Sequence, residues 1–313
     1  MDLERLEHVY DAVSKMSGGP RGPGAWFAAY ALTPPADAAP ADTAAMLAVQ
    51  QELKSALGGM REPVGELRWI YAALLTRYGK TAGSFLKLRG ALKTAEKSGG
   101  AGKLYAGGAR AALTLTLAGA GDAQTVRRFF AIRQAIRAPW WRSDPAMTDL
   151  FAASHAARGD SPESVSRDRQ AALAVFESER ATRGLKHEGA RLCALYDQPA
   201  GEVRDRYLAL LEMIRGNRKL RRSGDRHIWI EWAAQGVTPA DLPVIERHLN
   251  ALGKVTHMGF ARLRLAQLVW LSERNDGALG AVPAMAAVIT AQVAAIIAVT
   301  AATTAMVAAT ARR

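Results

Sequence analysis

The sequence contains a single cysteine, Cys193, among its 313 residues. One cysteine cannot form an intramolecular disulfide or a cysteine-built zinc site, and this usage is typical of a reducing compartment. A free cysteine is usually a small buried apolar side chain, and we predict that role for Cys193. The first residues also lack the basic and apolar segments of a secretory signal. We therefore expect a cytoplasmic protein.

The sequence also lacks the motifs that mark common catalytic and cofactor sites. Gly79-Lys80-Thr81 resembles the end of a phosphate-binding loop, but Leu74 stands where that loop needs a glycine. Ser84 and Lys87 have Ser-x-x-Lys spacing without the other elements of penicillin-recognising enzymes. No two of the 6 histidines are spaced to present both imidazoles on one helix face. We predict a non-enzymatic protein with no catalytic residue, no cofactor and no metal site.

Strand-favouring runs of Val, Ile, Thr and aromatic residues are scarce, whereas alanine is abundant. This composition favours helix at most positions. Apolar residues at three- and four-residue steps, such as Leu6, Val9 and Val13, predict amphipathic helices. Asp42 is placed to cap a helix over residues 43–57. The sequence therefore predicts an all-α fold.

Turn signals recur about every forty residues in the middle of the chain. Each follows an Ala/Leu-rich helix and precedes a second, amphipathic helix. These turns are Gly79-Lys80, Gly121-Asp122, Gly159-Asp160, Asp197-Gln198 and Gly236-Val237, separated by 42, 38, 38 and 39 residues. One helical hairpin cannot bury its apolar face alone, so successive hairpins stack. We predict an α-solenoid of stacked hairpins similar to HEAT and TPR repeats, and a compact bundle with the same local pattern is the alternative.

Three regions are predicted along the chain. Residues 1–66 form an N-terminal helical cap, residues 67–259 form the hairpin repeats, and residues 260–313 form C-terminal helices. The last region ends in an Ala-rich segment, 281–311, that has no charged residue. An apolar stripe on this segment predicts a packing or oligomerisation helix. The stripe comprises Val282, Ile289, Val293 and Ile296. Because the segment is long enough to span a bilayer, a tail-anchored membrane protein is an alternative.

Positive charge is concentrated in residues 67–144, which carry about +11 of the chain's net charge of +12. If second helices of successive hairpins line one surface, these cations suit phosphate backbones or an acidic protein. Flat rings beside arginine can also stack nucleobases. The predicted binding residues are Lys80, Lys87, Arg89, Lys93, Arg127, Arg128, Arg133, Arg137, Trp140, Trp141 and Arg142. A solvated face is the alternative. A second basic cluster, 215–222, is predicted to complement the dipole of the helix that it ends.

Three segments resemble a bacterial family of uncharacterised all-helical proteins, domain-of-unknown-function family 4003. They are residues 67–75, the Ala-Gly-Ala-Gly-Asp turn at 118–122, and the Ala/Ile-rich closing helix with Gln292. The resemblance covers most of the chain and implies an all-helical fold, but it implies no site residue. Repeat size and Arg and Trp content are also similar to those of helical-repeat DNA glycosylases. The sequence shows no counterpart of their catalytic aspartate and aromatic residues.

Together these features favour a non-enzymatic helical-repeat scaffold that binds a protein or other anionic partner. The alternative is a nucleic-acid-binding protein, similar to DNA-repair proteins, that uses the basic stretch at 80–142. A homo-oligomer through the C-terminal helix is a further expectation.

Overall fold

The structure is a computed structural model that describes residues 3–33, 41–58, 62–63, 65–98, 103–137, 145–252 and 260–274. Over these ranges the chain is all-helical and has no strand, which confirms the predicted fold class for this part. The α-helices are α1 (Leu3–Ser14), α2 (Gly22–Leu32), α3 (Thr43–Leu57), α4 (Gly65–Arg77), α5 (Ala82–Ser98), α6 (Ala109–Leu117), α7 (Ala123–Ala135), α8 (Pro145–Arg158), α9 (Pro162–Ser178), α10 (Lys186–Tyr196), α11 (Ala200–Gly216), α12 (Arg218–Ser223), α13 (Arg226–Ala234), α14 (Leu242–Leu252) and α15 (Phe260–Arg274).

Two kinds of helix alternate along the described chain. One kind is largely buried, as in α6, where every residue is buried; α10 is the least buried of this kind, with five of its eleven residues buried and none exposed. We call these the inner helices: α2, α4, α6, α8, α10, α13 and α15. The outer helices, α1, α3, α5, α7, α9, α11 and α14, bury one stripe each, such as Met46, Leu53 and Leu57 of α3. Ala/Leu-rich segments therefore form the inner helices and amphipathic segments the outer ones.

Each inner helix packs against the next one along the chain from α2 to α13. Side-chain contacts then join α13 to α15, where Arg264 pairs with Glu231 and Gln267 bonds to Gln235. Gln235 Nε2 also donates to Tyr196 Oη on α10 at 2.7 Å. Because α15 packs against α2 in turn, the contacts between inner helices close into a circuit.

The same turn ends α4, α6, α8, α10 and α13. A residue with positive φ follows each helix, and the N–H after it bonds to the carbonyl five residues earlier at 2.8–3.1 Å. These residues are Gly79, Gly119, Gly159, Asp197 and Gly236, at separations of 40, 40, 38 and 39. This is the hydrogen-bond pattern of a Schellman motif. In the second turn the left-handed residue is Gly119 rather than the predicted Gly121, and Asp122 caps α7 instead.

Several predicted boundaries can be compared with the observed ones. The helix predicted over residues 43–57 is α3, and Asp42 accepts the N–H of Ala45 at 2.8 Å. The division between residues 66 and 67 falls inside α4.

The predicted oligomerisation residues Val282, Ile289, Val293 and Ile296 lie outside the described residues. The searched helices, which belong to the described ranges, include none that is both long and apolar enough to cross a bilayer.

The turn geometry predicts opposite effects for two glycine-to-alanine substitutions. Gly79 has φ +62°, whereas Gly90 lies inside α5, and an added Cβ meets no atom within 4 Å at either position. Gly79→Ala should lower the free energy of unfolding by about 1–2 kcal/mol through left-handed strain. Gly90→Ala should raise it by about 0.5–1 kcal/mol through helix propensity. Urea unfolding measures both, and changes of the same sign would contradict the assigned turn.

Candidate functional site

The predicted basic residues divide into exposed and buried groups. Lys87, Arg127 and Arg137 are exposed, and Lys80, Lys93 and Arg128 are half-buried. Arg89 and Arg133 are buried. Trp140, Trp141 and Arg142 lie outside the described residues. The stretch therefore does not present all its charge on one surface.

Arg133 holds a segment of chain against α8. Its Nε donates to Asp149 Oδ1 at 2.5 Å, and Nη2 donates to the Lys103 carbonyl at 2.6 Å. Asp149 also accepts the backbone N–H of Tyr105 at 2.8 Å. Burial raises the pKa of Asp149, and the guanidinium of Arg133 opposes that rise. Arg133 is thus a structural contact rather than part of an open binding surface.

Two further arginines of the basic stretch are used inside the fold. Arg89 donates to the carbonyl of Ala106 at 3.2 Å. Arg110 pairs with Glu62, with 3.5 Å between Nε and Oε1. Burial raises the pKa of Glu62, and Arg110 opposes this effect. Counting charge along the sequence therefore overstates the cations that this stretch offers to a partner.

A cleft of about 990 Å³ lies among α8, α9, α10 and the start of α11. The C-terminal part of α9 lies close to α10, where a Cβ added at Gly189 would be 2.8 Å from the Phe176 ring. The cleft lies beside the residues of α9 that precede Phe176. Phe151, Val165 and Ala172 supply part of an apolar wall. A cavity of this size is large enough to hold a small molecule.

Arg169 brings a positive charge into this cleft. Its Nε atom is buried without a hydrogen-bond partner among the described residues. Burial, and secondly the charge of Arg191, lower the pKa of the Arg169 guanidinium. Arg191 also lines the cleft, donating Nε to the His187 carbonyl at 3.2 Å and lying 5.7 Å from the Phe151 ring centroid. Two neighbouring cations in a partly buried site are unfavourable unless an anion lies between them.

His155, Arg158 and Asp160 form a connected group around the turn between α8 and α9. His155 Nδ1 lies 2.7 Å from Asp160 Oδ2, and Arg158 Nε donates to the same oxygen at 3.2 Å. Arg158 Nη2 is also 2.9 Å from His155 Nδ1, a close approach that is a hydrogen bond only when Nδ1 carries no proton. We assign the proton to His155 Nδ1, because a carboxylate at this distance requires a donor. The lone pair of the neutral ring is then on Nε2.

The protonation of this group follows from its surroundings. Burial lowers the pKa of His155, while its hydrogen bond to Asp160 opposes the shift and Arg158 reinforces it. Burial alone would raise the pKa of Asp160, but the bonds from His155 and Arg158 hold it below its usual range. At neutral pH the cleft thus presents a neutral imidazole beside a carboxylate already paired with arginine.

The first turn of α11 contributes backbone N–H groups. Pro199 precedes the helix, and no side chain caps its start. Ala200 and Gly201, the first residues of α11, line the cleft. The N-terminus of a helix carries partial positive charge and favours anions. This end of the cleft therefore adds to the positive potential of the arginines.

The carboxylates around the cleft leave Arg169 unpaired. Asp160 is bonded as described above, and Asp168 accepts a hydrogen bond from Arg167 at 3.0 Å. Asp197 is exposed on the α10–α11 turn. The described residues of the cleft therefore include no carboxylate bonded to Arg169.

Cys193 is buried, as predicted, and it also lines the cleft. Burial raises the pKa of its thiol to about 12. The thiol is therefore protonated at neutral pH and is a weak nucleophile. Among the residues that the structure describes, no group of three or more His, Cys, Asp and Glu side chains could hold a metal ion.

None of the residues that line the cleft was predicted from the sequence to be a site residue. His155, Arg158 and Asp160 stand within six positions around a predicted turn, and that spacing was a usable signal. Arg169 and Arg191 are 22 positions apart, so only the packing of α9 on α10 brings them to one cleft.

Arg133 is buried on α7, whereas Arg137 is exposed just after the end of α7. Reversing these two charges should therefore change the free energy of unfolding by different amounts. Arg133→Glu should lower the free energy of unfolding by at least about 3–5 kcal/mol, because it leaves Asp149 buried beside a like charge. Arg137→Glu, at an exposed position, should change it by less than about 0.5 kcal/mol. Chemical denaturation measures both, and equal effects would contradict the buried ion pair.

The lowered pKa of His155 predicts a pH dependence of stability. Below its ordinary value of 6.5 the unfolded chain takes up a proton that the folded chain resists, so falling pH favours unfolding. The stability that depends on neutral His155 is lost as pH falls from about 6.5 through the lowered pKa of the folded state. His155→Gln removes this effect. As pH falls from about 8 to 5.5, the free energy of unfolding should therefore decrease more in the original chain than in the variant. A difference that stays constant in urea titrations would contradict the assignment.

Comparisons with known proteins assign no family to the chain. No protein-family model matches it, and neither a curated protein nor a solved structure does. The resemblance to the bacterial all-helical family is therefore still an expectation from the sequence.

Proposed function

We propose that this chain is a helical-hairpin protein that binds a small anionic molecule in the cleft beside α9 and α10. The observation that carries the proposal is the buried, unpartnered Nε of Arg169 next to a second arginine, Arg191. Guanidinium groups bind carboxylate and phosphate oxygens with two parallel hydrogen bonds. A bound oxyanion would satisfy the buried donor and reduce the repulsion between the two cations.

The other groups of the cleft suit the remainder of such a ligand. The neutral His155 ring offers a hydrogen-bonding nitrogen, and Asp160 fixes its orientation. The apolar side chains Phe151, Val165 and Ala172 favour a ligand with a hydrocarbon part. We therefore propose an organic carboxylate or phosphate with an apolar body, bound without covalent chemistry.

We also propose that the helical hairpins form a closed ring that supports this cleft. The hairpins would be α4–α5, α6–α7, α8–α9, α10–α11 and α13–α14, stacked side by side. Support comes from the turns repeated at nearly constant spacing and from the packing of α15 on α2. The ends of an open solenoid would not meet in this way. A closed arrangement would hold the two hairpins beside the cleft in a fixed relation, which favours a preformed site.

Substitution of Arg169 provides the test. The protein should gain stability from phosphate, sulfate or small organic carboxylates at constant ionic strength, relative to chloride. Arg169→Met should weaken that binding by about 10- to 100-fold, as expected for the loss of a charged hydrogen bond. Without added anion the variant should be as stable as the original or more so, because the substitution removes an unpaired charge that is half-buried.

Arg167→Met is the matched control. Arg167 is exposed on the same helix, pairs with Asp168 and does not line the cleft. Anion-dependent shifts of the melting temperature should be retained in this variant. Equal shifts in the Arg167 and Arg169 variants, or no shift in the original chain with any of the anions, would contradict the proposed site.

A further inference from the structure

The short helix α12 lies among exposed cations from three parts of the chain. Asn217 accepts the N–H groups of Lys219 and Leu220 at 3.1 and 3.0 Å and so starts the helix separately from α11. Leu220 is fully buried and anchors it. Of the cluster predicted at 215–222 to complement the dipole of a preceding helix, Arg215 lies in the last turn of α11, whereas residues 218–222 form a helix of their own. We define the α12 basic surface as Arg183, Arg218, Lys219, Arg221, Arg222 and Arg226, all of which are exposed.

The fold brings the outer members of this surface together. Arg226 begins α13 three residues after α12 ends, and its Nη1 would lie 3.3 Å from a Cβ added at Gly184. Arg226 therefore reaches the 3₁₀ turn Arg183–Leu185 that contains Arg183. On the other side, the Lys219 amine bonds to Asn250 of α14. Cations from α12, α13 and the turn before α10 thus share one region.

The arginines of this surface are largely unneutralised. Arg218, Arg221, Arg222 and Arg226 make no ion pair in the part of the chain that the structure describes. Arg183 donates to the Glu177 carbonyl at 3.3 Å. The ion pair with Lys186, and to a smaller extent the charge of Arg183, lower the pKa of the Glu177 carboxyl. Nearby carboxylates are engaged elsewhere, as Glu212 pairs with Arg215 at 3.0 Å.

Two more acidic groups lie close in sequence or space. Asp225 accepts the N–H groups that open α13, at 2.9 and 3.1 Å, and Glu188 lies 2.5 Å from His227 Nδ1. The surface therefore keeps a positive excess.

We propose that the α12 basic surface binds the phosphate backbone of a duplex nucleic acid, without reading its sequence. Arginine forks pair with phosphate oxygens, and the density of phosphates along a duplex suits several such cations at once. This surface is separate from the cleft, so the proposal does not depend on the function proposed above.

A duplex suits the α12 basic surface better than a single-stranded nucleic acid or a membrane does, because those two partners need exposed rings or apolar side chains. Leu220, the apolar residue of α12, is buried, and the nearest exposed large apolar side chain along the chain is Met213 of α11, which has no ring. Single-strand binding needs aromatic rings on which bases stack. Insertion into a membrane interface needs exposed apolar side chains. Phosphate contacts on a double strand need neither.

The experiment measures binding of a fluorescent duplex DNA to the full chain as salt is raised from about 50 to 200 mM. If each cation of the surface meets one phosphate, affinity should fall about 10³-fold over this range, with a log–log slope of about −5. The triple variant Arg218→Glu, Arg221→Glu, Arg222→Glu should bind at least about tenfold more weakly and lower the slope by about 3.

The matched control is the triple variant Lys87→Glu, Arg127→Glu, Arg137→Glu. It changes the net charge equally at exposed positions of the predicted basic stretch. It should keep most of the affinity. An equal or larger loss in this control would overturn the proposal, because net charge or the 80–142 stretch would then account for binding.

Two parallel measurements complete the test. Melting temperatures check that both variants fold, and the neutral variant Arg218→Gln, Arg221→Gln, Arg222→Gln replaces the α12 reversal if that reversal unfolds. The same sequence as a single strand, and vesicles containing phosphatidylserine, serve as competing partners. No duplex binding at low salt, or tighter binding to the single strand or vesicles than to the duplex, would overturn the proposal.

Discussion

The left-handed residue after each of α4, α6, α8, α10 and α13 is the constraint on which the rest of the structure depends. The chain must turn toward the surface directly after a largely buried helix, and the last carbonyls of that helix need hydrogen-bond partners. The turn meets both needs, because it reverses the chain and bonds those carbonyls to backbone N–H groups. The amphipathic helix that follows can then cover the inner helix that it leaves.

Close packing of inner helices creates a second requirement, which concerns charge. Polar side chains that enter this interior need partners, and most of them have one. Arg264 has Glu231, Arg133 has Asp149, and Arg110 has Glu62. Arg169 differs from these three, because no carboxylate among the described residues pairs with its guanidinium. An unpaired, half-buried cation is kept at a cost in stability, and ligand binding is a physical reason for such a residue.

The sequence was sufficient for features that depend on neighbouring residues. The Asp42 cap and the limits of α3 follow from local hydrogen bonding and apolar spacing, and so do four of the five left-handed turn positions. The burial of Arg89 and Arg133 could not be predicted in this way. Their partners are a carbonyl 17 residues away and a carboxylate 16 residues away, and helix periodicity does not show which outer helix meets which loop.

Contacts between residues far apart in sequence also explain why the charge counted along the chain and the charge exposed on the surface indicate different basic regions. Residues 67–144 hold most of the net charge, yet Arg89, Arg110 and Arg133 are buried in contacts that stabilise the fold. The smaller cluster on α12 has one buried residue, Leu220, and leaves its cations in solvent. Electrostatic attraction between macromolecules depends on exposed, unneutralised charge. Folding thus gathers the six exposed cations of the α12 basic surface in one region, whereas it divides the charge of residues 67–144 between exposed and buried positions.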